Sequence, residues 1–403
     1  MERVLSIDLM RGAALASMVL IHFLIYFGDS AAATTWPYFL FNHVLGDWGA
    51  ACFLLLTGMS QTLSAGRRAS DPRHDRRKAL VRGAFLFLVG LLVLALAWGP
   101  SRIWEWDILT LMGAMTVVVF LCRTIPSWAL LGVSLLVAVA TPFLRRGIDY
   151  ASVWGGPFVQ VPVVSAWLPG LLLDPAAELN VIWTLPDVVR GFLFTGEFPL
   201  FPWALFPLVG VVVGRRILRG RIEDDLPLLA IIGGLLVCLG TGGAYASLFR
   251  PGSSIVRDLI APLSIYPDSF TMIAVQLGLA LLAFSGLYAL LDARRTEPAA
   301  DGLLVRLLAR TSRFSLSFYF LHYLLIGWTI AIVHLATGRD TKYGLLGAVP
   351  SLVAGVAGVA LLEGILVLWE RREGRFSLEW CLASLTALLT GGPSADRTDS
   401  PKG

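Results

Sequence analysis

Apolar runs of about 17 to 25 residues recur along the whole chain, broken by short stretches rich in Arg, Asp, Gly and Pro. About ten of them fit as membrane-spanning helices, near residues 10–28, 46–65, 82–98, 107–122, 127–143, 200–214, 226–249, 270–291, 313–336 and 346–369. The pattern predicts an all-α, polytopic integral membrane protein. One transmembrane domain, residues 1–390, is expected to hold these helices. The polar tail 391–403, with Pro393-Ser394-Ala395-Asp396-Arg397, reads as disordered. A long loop at about 144–199 is too rich in Trp, Pro and Leu for a solvated linker, so it is expected to pack at the membrane surface. Within it Leu185 to Phe194 reads as a short interfacial helix.

Composition agrees with the pattern. The chain is 56% hydrophobic and 15% charged, which excludes an ordinary soluble domain. Its net charge of +4 comes from clustered arginines that bear on orientation rather than on nucleic acid. Arg67, Arg68, Arg73, Arg76, Arg77 and Lys78 lie between the second and third spans. Arg215, Arg216, Arg219 and Arg221 follow the sixth, Arg294, Arg295, Arg306 and Arg310 the eighth, and Arg371, Arg372 and Arg375 the tenth. With ten spans, all of these fall on the side of the N-terminus, so the positive-inside rule places both termini in the cytoplasm. A multi-pass protein of the plasma (inner) membrane is expected. Ser30-Ala31-Ala32-Ala33 looks like a signal-peptide cleavage site, but the preceding apolar segment is long and headed by Asp8 and Arg11, so an uncleaved first helix is the better reading.

Ionisable residues inside such segments are costly and point to function. The first span carries Asp8, Arg11 and His22. On an α-helix the eleven-residue step from Arg11 to His22 returns to within roughly 20° of the same face, about 16 Å further along. The three form a polar stripe that starts at one surface and ends near the midplane. A neutral histidine there can act as a general base; it can equally be a hydrogen bonder between helices. His43 and Asp47 are four apart and either pair, the carboxylate orienting the imidazole, or mark an interfacial cap. Asp107, which opens the fourth span, has the same two readings. Glu363 needs a basic partner or a proton, while His322 and Gln276 read as helix-to-helix hydrogen bonders. No nucleotide-binding loop, zinc-protease motif or cysteine pair with metal spacing occurs, so no metal is expected.

These residues also carry a resemblance. Arg3-Val4-Leu5-Ser6-Ile7-Asp8-Leu9-Met10-Arg11-Gly12, with Met18 and His22, resembles the opening of the membrane-bound acyltransferases that include heparan-α-glucosaminide N-acetyltransferase and its bacterial relatives. Phe53-Leu54-Leu55-Leu56-Thr57-Gly58, Asp107 through Gly113, Phe201-Pro202-Trp203 with Gly210 and Gly214, Ser317 to His322, and Gly374 to Trp380 are similar to later family segments in the same order. The resemblance implies transfer of an acyl group, most plausibly acetyl, from cytoplasmic acyl-CoA to a hydroxyl or amine of an extracytoplasmic glycan or glycoside. It implies His22 or His43 as base with Asp47 orienting it, and a cofactor end at Arg11, Asp8 and Gly12. The partners expected are acyl-CoA, a saccharide acceptor and membrane lipids, with a homodimer left open and no nucleic acid. A proton-coupled secondary transporter of a small organic or lipid-linked substrate, with Asp8, His22 and Glu363 as a proton path, is the alternative. A non-catalytic envelope scaffold is a third reading.

Overall fold

The computed structural model describes residues 4–46, 48–66, 71–148, 184–249, 254–266, 268–293, 302–338 and 344–391. Every segment expected to span the membrane forms a helix. They are α1 (Leu5–Phe27), α2 (Gly49–Gly66), α3 (Pro72–Trp98), α4 (Ile108–Leu121), α5 (Ser127–Leu144), α6 (Leu205–Leu218), α7 (Ile222–Ser247), α8 (Phe270–Leu291), α10 (Ser315–Thr337) and α11 (Ala348–Arg371). Among the described residues two further helices of more than ten residues escape the hydropathy pattern: α9 (Leu303–Arg313) and α12 (Leu378–Thr390). The first is amphipathic and the second short, so neither contains an apolar run of spanning length.

Eight described helices are long and apolar enough to cross a bilayer on their own, the sixth-span region counting as one of them. The two that do not reach that standard are α2, which carries Thr57, Ser60, Gln61, Thr62 and Ser64, and the 14-residue α4. Both lie inside the bundle, where Leu54, Leu55, Leu56 and Leu111 are fully buried. A helix surrounded by protein has no need of a continuous apolar surface, which is why these two tolerate polar side chains or a shorter length. By contrast only 11% of the α7 window is buried, so α7 presents its apolar surface outward.

Helix α1 is the axis of the arrangement and packs against α2, α8, α9, α10 and α11. Its first turn has no side-chain cap of its own. The Asp292 carboxylate, just past α8, accepts instead from the Leu5 and Ser6 amides at 2.8 and 2.9 Å. At the start of α10 Glu379 of α12 does the same for the Leu316 and Ser317 amides. In both cases a remote carboxylate meets the positive end of a helix whose orphan N–H groups would otherwise be buried unpaired. The α2–α6 contact is closer still: a Cβ at Gly58 would lie 2.0 Å from the Pro207 carbonyl oxygen, and one at Gly210 2.1 Å from that of Leu55. Only glycine permits that approach.

The sixth span is broken at its start. Leu200–Trp203 forms one turn with Phe201 out of helical geometry, and α6 proper begins at Leu205. The short helix expected within this loop is present as Leu185–Arg190, continued by a π-helical turn over Gly191–Thr195. The rest of the long loop, like the tail beyond Gly391, lies outside the described residues.

Candidate active site

The polar stripe of α1 divides into two sites. At the N-terminal end Arg11 donates to Ser312 Oγ at 3.2 Å and to Ser60 Oγ, and it lies 3.6 Å from Asp8. Ser312 in turn donates to Asp8 Oδ1 at 2.9 Å. The charged pair is therefore held by one hydroxyl from α2 and one from α9. Gly12 lets α9 come this close, since a Cβ there would sit 2.1 Å from the Leu308 carbonyl oxygen. Of the two readings of Glu363 the structure shows the basic partner: Arg310 lies 3.1 Å away and Thr311 donates to its other oxygen.

His22 sits five residues before the end of α1, about 8 Å along the axis, and so stands closer to that end than to the helix centre. Its Nδ1 lies 3.0 Å from Nε2 of His322 on α10. The two rings stack with centroids 5.2 Å apart, and the Tyr26 and Tyr323 rings stand 5.7 and 5.4 Å from that of His22. His322 is fully buried, whereas His22 is only partly so. The His322 Nδ1 meets the backbone carbonyl oxygen of Tyr319. A carbonyl oxygen can only accept, so in the neutral pair His322 carries its proton on Nδ1 and its Nε2 is bare. His22 must then donate from Nδ1, which leaves its own Nε2 as a lone pair. The geometry thus produces the tautomer that a general base needs.

One turn below, the Tyr319 hydroxyl donates to Asp107 Oδ2. Asp107 is fully buried, and its Oδ1 accepts from the Leu109 amide at 2.8 Å. The capping reading of Asp107 therefore holds, and the second oxygen ties α4 to the histidine pair. Glu197 approaches the Tyr323 hydroxyl closely enough to interact with it electrostatically. Its position is fixed by backbone pairing, with Glu197 N to Glu105 O at 2.7 Å and Phe198 N to Trp106 O at 3.0 Å. Trp106, at φ 61°, supplies the sharp turn that this pairing follows.

A second anchor lies beside this segment. Arg145 donates to the carbonyls of Phe194 and Phe201, both at 2.9 Å, and of Asp268 at 3.2 Å. The Asp268 carboxyl is buried beside Trp203 and Gln276, and burial pushes it up to about 8 against the pull of Arg145.

His43 falls in the π-helical segment Phe39–Gly46, where its backbone alone is described, and Asp47 lies outside the described residues. The residue that sequence reasoning undervalued is His322. The signal was there: Tyr319, His322 and Tyr323 share one helix face, the only polar aromatic cluster in an otherwise apolar run. Among the described residues no group of three or more His, Cys, Asp or Glu side chains is placed to hold a metal.

The fold and this centre define a multi-pass helical membrane protein with a histidine pair enclosed by tyrosines. The family of heparan-alpha-glucosaminide N-acetyltransferase catalytic domains matches residues 3–240, more than half of the chain, and the protein belongs to that family. It is, in general terms, a membrane acetyltransferase. No curated protein matches the chain. His22, Asp107 and Glu197 lie within the matched segment, whereas Tyr319, His322 and Tyr323 come from beyond it.

Proposed function

We propose that the protein transfers an acetyl group from cytoplasmic acetyl-CoA to a hydroxyl or amine of an extracytoplasmic glycan or glycoside. The observation that carries this reading is the His22–His322 pair, whose hydrogen bonds leave His22 Nε2 unprotonated on an incompletely buried ring. His22 removes the acceptor's proton as the acceptor oxygen or nitrogen attacks the thioester carbonyl. The carbon–sulfur bond then breaks, CoA leaves as thiolate, and the proton passes from His22 to that sulfur. Direct transfer needs no acyl-enzyme, and among the described residues no serine or cysteine hydrogen-bonds to either histidine to form one.

Arg11, steadied by Asp8, Ser60 and Ser312, supplies positive charge for the cofactor's phosphates at the cytoplasmic end, and Gly12 shapes that end by admitting α9. The reacting arm of the cofactor then runs about 16 Å along α1 to His22. His43 is the other candidate for this base, with Asp47 as the carboxylate that orients it. CoA never crosses the membrane in this scheme. The test is incubation of the purified protein with radiolabelled acetyl-CoA and an envelope glycan extract. Label should reach glycan with the wild type and not with His22→Ala; equal transfer by both proteins would remove His22 from the chemistry.

A further inference from the structure

At the end of the bundle where α1 begins, the α4–α5 connection and the last turn of α6 line an open cavity of about 550 Å³. Its wall contains Arg123, Arg215 and Arg219, with Ser127, Trp128 and Leu218, and among the described residues no carboxylate lines it. The three arginines are not equivalent. Arg215 spends its guanidinium on the chain, donating to the carbonyls of Ile125 at 2.6 Å and of Cys122 and Arg123 at 3.0 Å. It builds the floor of the cavity by fixing the connection. Arg123 is steadied by stacking on the Phe120 ring at 4.2 Å, a contact that leaves its charge unneutralised. Arg219 lies one turn beyond Arg215 and is exposed. A positive, partly enclosed cavity of this kind suits a phosphate group.

The surroundings distinguish the source of that phosphate. Trp128 is 77% exposed at the rim, and Leu131 and Leu135 continue from it along the same face of α5, also exposed. This apolar stripe leads straight away from the arginines along a helix of which only 28% is buried. A soluble phosphate would use the arginines and ignore the stripe. A phospholipid uses both, its headgroup in the basic cavity and its chains on the helix. Trp at the junction fits the interface between the two zones. We propose that this cavity binds the phosphate headgroup of an anionic membrane phospholipid, with the acyl chains laid along Trp128, Leu131 and Leu135. The site is independent of the histidine centre and of its chemistry.

Native mass spectrometry of the full chain released from detergent, titrated with phosphatidylglycerol or phosphatidylcholine, tests it. Phosphatidylglycerol should be retained preferentially. The double variant Arg123→Gln/Arg219→Gln should weaken that binding about twenty-five-fold, at about five-fold per arginine. Arg371→Gln/Arg372→Gln removes the same charge from exposed positions elsewhere at that end and should leave it unchanged. Leu135→Asn should also weaken it, because the chains lose their track. Equal retention of the two lipids, or equal loss with the two arginine pairs, would overturn the site. Displacement of phosphatidylglycerol by CoA or inorganic phosphate would assign the cavity to a soluble phosphate and overturn the lipid.

Discussion

His22 Nδ1 and His322 Nε2 lie 3.0 Å apart although 300 residues separate them in sequence. The contact sets a proton's position on each ring, because His322 is itself committed to the Tyr319 carbonyl.

Replacing His322 tests that commitment through chemistry rather than through fold. In His322→Gln the side-chain oxygen can stand where Nε2 accepts from His22. The shorter side chain of His322→Asn can still reach Tyr319 and not His22. The glutamine variant should keep most of the activity, and the asparagine variant should lose about 10²-fold in kcat with little change in KM for acetyl-CoA. Nitrogen-15 spectra of histidine-labelled protein should place the His22 proton on Nδ1 in the wild type. A proton found on Nε2 would contradict the tautomer.

Tyr319→Phe should destabilise the protein, since it strips a hydrogen bond from a carboxylate with no solvent access. A loss of about 1–3 kcal/mol is expected for the unsatisfied group. Adding Asp107→Asn should recover part of it, because a neutral amide is cheaper to leave underbonded. Thermal unfolding of the two single variants and the double variant, treated as a mutant cycle, gives the coupling.

Gly58→Ala should be among the most damaging small substitutions in the chain. The added methyl would meet the Pro207 carbonyl oxygen at 2.0 Å, forcing α2 and α6 apart at a cost of about 1–3 kcal/mol or more. Gly132→Ala makes the useful contrast. Nothing lies within 4 Å of a Cβ at that position, so the change should be neutral or stabilising. Melting temperatures in detergent would separate the two.

Asp268 gives stability a pH dependence. Its carboxyl is raised to about 8 in the folded protein from an ordinary value of 3.8, so between those limits the folded state holds a proton that the unfolded state has lost. Stability attributable to this group therefore falls as pH rises through that window and levels off above about 8. Asp268→Asn should flatten the dependence of melting temperature on pH between about 5 and 8. A wild-type slope that survives the substitution would place its origin elsewhere.

The helical, membrane-spanning character was readable from local pattern alone, because a lipid-facing helix needs an unbroken apolar surface of fixed length. Helices α1, α3, α7 and α8 were legible for that reason, whereas the cap at Asp107 and the basic partner of Glu363 were each one of two readings that the pattern left open. The stripe from Asp8 to His22 was legible too, since helical periodicity fixes which residues of one helix share a face. That reasoning stops at the helix it is applied to. Which neighbour meets His22, that Asp292 and Glu379 cap helices far from them in sequence, and that α9 closes over Gly12 all depend on how helices pack against one another. Helical periodicity leaves that packing open. Tertiary structure alone decided that His22 has a histidine partner, and with it which nitrogen of His22 is free to take a proton.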